Sequence, residues 1–289
     1  MERAEWLKQM RSMAEALYDR GSPQYWVEWG LSEDETHRVY LQKFLERVAL
    51  GSDGAGQSDG GGQTGGAGQS GGSKPGNLLS AGCGAGRYDG FLLDAGHNVI
   101  GIDQSAGMLR RAREHFSQER FPQLRYEKMS LQEMAMNPAY RAAFDGIICM
   151  DTMEHIGPED YPGILRGFQE ALKPGGVLYF TADTTETAEG DGVDIEAVYE
   201  RAKSRGLPVV PGEWVDEIDE AYEQAMALEG PVPGDLADRA VYHYYPRVEQ
   251  VRAWIDQAGL AIEEEGLGSG WHHFLTRKKN NPKCAKEKQ

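Results

Sequence analysis

The sequence predicts an α/β protein, a doubly wound, mostly parallel seven-stranded sheet with N-terminal helices and a helical cap inserted late in the chain. Three observations carry this. From residue 77 onward, short apolar runs alternate with amphipathic stretches, the pattern of a parallel sheet covered on both faces. The first of these runs enters a glycine-rich turn, Gly82-Cys83-Gly84-Ala85-Gly86, and a helix leaves it. Residues 51–76 hold glycine at 12 of 26 positions and no large apolar side chain. Such a stretch cannot offset its ordering entropy by burial, so it predicts a flexible linker.

The elements follow in order. In residues 1–50, Trp6, Met10, Met13 and Leu17 share one helical face. Ser32-Glu33-Asp34-Glu35 has a capping-box pattern and opens a second helix, whose apolar face carries Tyr40, Leu41, Phe44, Leu45 and Val48. Between them lies an aromatic stretch with Tyr18, Tyr25, Trp26 and Trp29, broken by Gly21 and Pro23. About fifty residues without a strand make a poor independent core, so this part is expected to act as a lid or flank on the domain at 77–289. There the sequence predicts strands at 77–81, 98–102, 124–128, 144–150 and 176–181, and helices at 87–95, 106–116 and 160–172. A cap insertion is expected at about 183–240. Its acidic part, 186–229, holds thirteen acids against three bases, and helices are predicted at 193–205 and 213–228. A helix at 247–258 and a hairpin of strands 260–264 and 271–276, joined through Gly-Leu-Gly-Ser-Gly, complete the chain.

Charge narrows the partners. The net charge is −16, yet residues 277–289 carry +5, leaving −21 on the rest. That body repels a polyphosphate, so no nucleic-acid partner is expected, and the basic tail reads as a solvated terminus. No run approaches the roughly 20 apolar residues of a membrane span, so no membrane partner is expected either. The first residues lack the apolar core of a secretory signal. Cys83, Cys149 and Cys284 are widely spaced and form no Cys-x-x-Cys pair. A cytoplasmic location fits both features.

Glycines in the 82–86 turn allow positive φ and a close ligand approach, and the helix N-terminus beyond them attracts an anion. A dinucleotide fingerprint would need a third glycine where Arg87 stands. Asp103, at the end of the second strand, is placed to accept hydrogen bonds from ribose hydroxyls. Residues 78–86 (LLSAGCGAG), 94–112 (DAGHNVIGIDQSAGMLRRA), 144–156 (FDGIICMDTMEHI) and 172–180 (LKPGGVLYF) together resemble the class I S-adenosylmethionine-dependent methyltransferases. The third of these stretches also resembles the ubiquinone-pathway O-methyltransferases.

That resemblance implies S-adenosyl-L-methionine as cofactor and a small-molecule methyl acceptor. It implies a cofactor site of Ser80, Gly82, Gly84 and Gly86 at the methionine end. Asp103 would hold the ribose, with Gln104 and Met108 flanking the adenosine. Ser130 and Leu131 would meet the adenine, and Met150 and Asp151 would line the methyl-bearing end. Ser80 and Ser130 stand where many members carry an acid. His155 is the first candidate for a general base and His243, within Val241-Tyr242-His243-Tyr244-Tyr245, the second. Asp151, Glu154 and His155 have ligand chemistry for a divalent ion, but acids in such a segment more often cap a helix, and no metal site is assigned. Two alternatives stay open: an NAD-dependent oxidoreductase, and a non-catalytic nucleoside-binding or interaction module.

Overall fold

The computed structural model describes residues 1–26, 34–53, 74–190, 192–217 and 240–279. Trp29, Ser32 and Glu33, most of the glycine-rich stretch, and the expected cap residues 218–239 lie outside these.

Five parallel strands form the left and centre of the main sheet: β1 (Asn77–Ala81), β2 (Asn98–Asp103), β3 (Leu124–Lys128), β4 (Phe144–Cys149) and β5 (Leu172–Ala182). Two antiparallel strands, β8 (Leu260–Gly268) and β9 (Trp271–Lys278), extend it, giving the order β3-β2-β1-β4-β5-β9-β8. The order reverses between β1 and β4, where a doubly wound sheet opens its ligand crevice at the carboxyl ends. The central strands are apolar because both faces are covered: Leu78, Leu79, Ile147 and Leu178 are all fully buried.

Helices flank the sheet: α3 (Asp89–Asp94), α4 (Ala106–His115), α5 (Leu131–Met136), α6 (Tyr161–Ala171), α7 (Thr185–Gly190), α8 (Ile195–Ser204) and α9 (Val248–Gln257). Helix α1 (Arg3–Tyr25) and α2 (Glu35–Asp53) precede them. Trp6, Leu7 and Met10 of α1 join the core cluster built around β4, β5 and α6, while Tyr40, Leu41, Phe44 and Val48 of α2 join the one on the opposite face. Gly146 on β4 makes room for α2, since a Cβ there would lie 2.6 Å from the Phe44 ring.

Several expectations are corrected. Helix α1 runs through Gly21 and Pro23 rather than breaking there; the Asp19 carbonyl, which Pro23 cannot bond, accepts from the Ser22 hydroxyl at 3.0 Å. The helix after the glycine turn starts at Asp89, not residue 87, because the turn runs on through Arg87 and Tyr88. The expected linker is bounded more tightly. Residues 51–53 belong to α2, and the Gly76 N–H donates to His97 Nδ1 at 3.0 Å. The helix expected from residue 213 is instead strand β6 (Glu213–Glu217), antiparallel to β7 (Ala240–Tyr244). The final hairpin turns at Ser269-Gly270, with Gly266 and Gly268 inside β8. The basic tail starts bound rather than frayed: Arg277 pairs with Glu263, Lys278 donates to the Leu172 carbonyl at 2.7 Å, and Lys279 reaches Asp256. Among the described residues, no helix is long and apolar enough to cross a membrane.

Candidate active site

One cavity lies over the carboxyl ends of β1 to β4. Its floor comes from the loops of the sheet and its roof from α1. Among the expected residues, Gly82, Gly84, Asp103, Gln104, Met108 and Ser130 line it, as do Leu131, Asp151 and His155.

The glycine turn is held in the left-handed region, with φ of 65° at Gly82 and 53° at Gly84. A Cβ at Gly82 would lie 2.4 Å from the Thr152 side chain, so the turn and the β4 loop close on each other. Asp103 locks the turn to the next helix. Its carboxylate accepts from the Gly84 N–H at 2.9 Å and the Ser105 N–H at 2.8 Å. Each oxygen keeps a second lone pair for a ligand hydroxyl. Burial raises the Asp103 carboxyl to about 6, the two N–H groups oppose this, and the charges of Asp19 and Glu15 add to it.

Helix α1 presents two adjacent stripes. Trp6, Met10, Met13 and Leu17 enter the core, while Arg11, Ala14, Tyr18 and Tyr25 face the cavity. Asp19, on a third side, accepts from the Ser105 hydroxyl at 2.6 Å and the Gly107 N–H at 2.7 Å, placing negative charge at the α4 N-terminus. Gly107 allows that contact, since a Cβ there would lie 2.7 Å from the Asp19 carbonyl. Arg3 fastens the start of α1 to Glu159 and to the buried Glu213 of β6, and Tyr242 donates to the same Glu213 at 2.7 Å.

The other end of the cavity is polar and aromatic. Asp151 has φ of 49°, a left-handed backbone uncommon for a residue other than glycine. Arg87 at 3.1 Å and the Tyr88 hydroxyl at 2.7 Å hold its carboxylate, and its N–H donates to Thr181 at 2.8 Å. Buried His37 of α2 stands 3.6 Å away. His155 Nδ1 faces the Tyr242 carbonyl at 3.4 Å, which can only accept, so Nδ1 carries the proton. Nε2 is then the acceptor for the Tyr18 hydroxyl at 2.8 Å. Burial lowers the His155 imidazole to about 4, so it is neutral near pH 7. Glu154 Oε1 lies 3.7 Å from the same Nε2. Its carboxyl is pushed well above the usual range by burial and then by Asp183 and Asp151.

Four expected site residues lie elsewhere. Ser80 is buried in β1 beside the Asp89 carboxyl, which is raised to about 6 by burial against hydrogen bonds from Ser80 and Tyr126. Gly86 faces inward, where a Cβ would lie 2.9 Å from the Tyr126 hydroxyl. Met150 is buried in the α2-side core. His243 packs behind His155, with ring centroids 4.8 Å apart, because its register partner on β6 is Trp214, on which it stacks. Ser130 does line the cavity, but its hydroxyl forms a capping box with Glu133 at the start of α5. Among the described residues, no three His, Cys, Asp or Glu side chains converge as a metal set.

Arg11, Gln132, Thr152 and Ile156 also line the cavity and were not expected. Thr152 and Gln132 adjoin expected residues in sequence. The signal for Arg11 is its spacing: 11, 14, 18 and 25 repeat on one helical face.

Residues 78–176 match a protein family described as a methyltransferase domain. That stretch is thus similar to a methyltransferase domain, and it lies within a sheet of the doubly wound order. Among curated proteins, the ubiquinone biosynthesis O-methyltransferase of Acinetobacter baylyi is 33% identical over 104 residues, covering 36% of this chain and 42% of that protein. The chain thus matches about two fifths of the length of such relatives. Among solved structures, magnesium protoporphyrin IX methyltransferase from Synechocystis PCC 6803 superposes with a TM-score of 0.54 at 15% identity, covering 93% of this chain and all of that one. A SAM-dependent methyltransferase from Methanosarcina mazei gives 0.54 at 14% identity, covering 72% and 94%. At these identities the structures establish the fold. The family match favours methyl transfer over the NAD-dependent oxidoreductase reading.

Proposed function

We propose that the chain binds S-adenosyl-L-methionine and moves its methyl group to an oxygen, nitrogen or carbon atom of a small molecule. One observation carries this reading: a single cavity joins the glycine turn and Asp103 at one end to Tyr18 and His155 at the other. The donor set fits the cofactor. The carboxylate of Asp103 suits ribose hydroxyls, Met108 and Leu131 offer apolar walls to adenine, and backbone N–H groups at the turn suit a carboxylate. The cofactor, when bound, supplies an electrophilic methyl on a positively charged sulfur.

This chain's residues do the rest. Helix α1 covers the cavity and limits water at the reacting atoms. Tyr18 and His155 form a proton path, in which a hydroxyl of the acceptor gives its proton to Tyr18 Oη as Tyr18 passes its own to His155 Nε2. Arg87, by fixing Asp151, sets the shape of the methyl-bearing end.

The decisive experiment is calorimetric titration with S-adenosylhomocysteine. Wild-type protein is expected to bind it, and Asp103→Ala to bind about tenfold more weakly, about 1.4 kcal/mol. Unchanged affinity in the variant would remove Asp103 from the ribose site. No binding to wild type would remove the proposal.

A further inference from the structure

Three side chains at the edge of the cavity have more contacts with one another than protons to fill them. Asp151 lines the cavity, its backbone is left-handed, and its carboxylate is held from several sides. Arg87 and the Tyr88 hydroxyl reach Oδ2, while the Thr181 hydroxyl donates to Oδ1 at 3.3 Å. His37 of α2 closes a ring with Tyr88 and Asp151. Its Nδ1 stands 2.9 Å from Tyr88 Oη, and its Nε2 stands 3.6 Å from Asp151 Oδ1. The ring has a contact at each side, yet a phenol and a neutral imidazole bring one proton each. Tyr88 Oη, at 2.7 Å from a carboxylate oxygen, donates its proton there. Nδ1–H then donates to Oη, and Nε2 turns a lone pair toward Oδ1. That nitrogen has no hydrogen-bond partner among the described residues, and His37 is 1% exposed. An acceptor buried against an acceptor is costly, and a further proton on Nε2 would complete the ring. The other groups facing His37 do not take that place. Asp34 accepts the His37 backbone N–H at 2.8 Å. His273 of β9, with its ring centroid 5.2 Å away, has Nε2 against the Gly268 carbonyl and Nδ1 against the Tyr179 hydroxyl. Arg87 is paired with Asp151.

We propose that His37 is a positioning residue for the methyl-bearing end of the cavity, and that a proton on its Nε2 sets how well this end takes the cationic cofactor relative to its neutral thioether product. This rests on the methyltransferase reading above. S-adenosylmethionine carries one positive charge more than S-adenosylhomocysteine, at the sulfur. With Nε2 bare, the charges of Asp151 and Arg87 cancel. With Nε2 protonated, the group of His37, Asp151 and Arg87 carries a net positive charge, which opposes the sulfonium but not the thioether. The charge of Asp151 is felt inside the cavity, since the phenol of Tyr25 on its wall is raised by burial and next by Asp151. Linkage works both ways: the sulfonium drives the proton off Nε2, and the thioether lets it return. Burial lowers the His37 imidazole, Asp151 and Asp34 oppose this, and Arg87 adds to it, so Nε2 is bare near neutral pH and the cofactor is favoured there. Acid shifts the preference toward the product.

The test measures the affinities of S-adenosylmethionine and S-adenosylhomocysteine by calorimetry at about pH 7.5 and about pH 5.5, on either side of the ordinary imidazole value of about 6.5. In wild type, the ratio of the two affinities is expected to move toward the thioether by about threefold or more on acidification. Because the readout is a ratio at one pH, damage common to both ligands cancels, as does titration of groups that both ligands feel alike. His37→Gln removes the titrating nitrogen and should flatten the change. Tyr88→Phe tests the ring at its other corner and serves if the first variant fails to fold. Without the phenol proton, the single imidazole proton moves to Nε2 and meets Asp151, so no further proton is called for and the change should again flatten. A wild-type ratio that does not move with pH overturns the proposal and leaves cofactor binding intact. So does a change that persists undiminished in a folded variant of either kind. If neither ligand binds wild type, the methyltransferase reading falls and takes this one with it.

Discussion

His155 concentrates the chemistry of single residues. Its Nδ1 proton is committed to the Tyr242 carbonyl, so the free lone pair on Nε2 points to Tyr18. With the imidazole lowered to about 4, it stays an acceptor across the neutral range. His155→Ala is expected to lower kcat by about 10²-fold while leaving the affinity for S-adenosylhomocysteine within threefold, as checked by initial rates and calorimetry. A parallel loss of affinity would show that the ring shapes the cavity rather than serving the proton. The positions of Asp103 and the glycine turn at the cavity were legible in the sequence because they depend on local order: strand, tight turn, helix, strand end. His243 was not placed correctly from sequence, because its position depends on pairing across a hairpin whose other strand was read as a helix. Ser130 shows a different limit. Its place after β3 was legible, but not that Glu133 three residues on would take its hydroxyl.

Among the elements, the central strands were the most legible, since burial on both faces forces apolar runs. Strand β6 was not: Glu213-Trp214-Val215-Asp216-Glu217 sits in an acidic stretch with helix-like spacing, and only the partner strand 240–244 makes it extended. Helix α1 was legible as a helix, but its second stripe toward the cavity was not, because Arg11, Ala14, Tyr18 and Tyr25 mix a charge, a small residue and two aromatics and give no clear apolar periodicity. Its grip on α4 is testable. Asp19→Ala removes two hydrogen bonds at the α4 N-terminus and is expected to cost about 1–2 kcal/mol of unfolding free energy in urea titrations. A change under about 0.3 kcal/mol would mean that α1 is held at its first turn instead, through Arg3.

Across the whole molecule, all seven histidines are shifted downward, with burial as the leading cause in each. His155 and His273 fall to about 4, and His243 lies well below its ordinary value. For a group lowered from 6.5 to about 4, the unfolded chain binds the proton first, so stability is lost as pH falls through that window. Asp89, Asp103 and Glu154 act in the opposite sense, since their raised carboxyls favour the protonated folded state. Seven groups oppose three, so the melting temperature is expected to drop between pH 7 and pH 5 in differential scanning fluorimetry. A constant or rising value would contradict the buried neutral imidazoles.

The seat that Gly146 gives to Phe44 has a practical corollary. The matched stretch 78–176 invites a trimmed recombinant version starting near β1. That version would keep all seven strands of the main sheet yet leave a greasy hollow along β4 and strip away Tyr18. Such a product should be prone to clumping and idle toward ligands, even though it spans the whole region by which the chain is recognised.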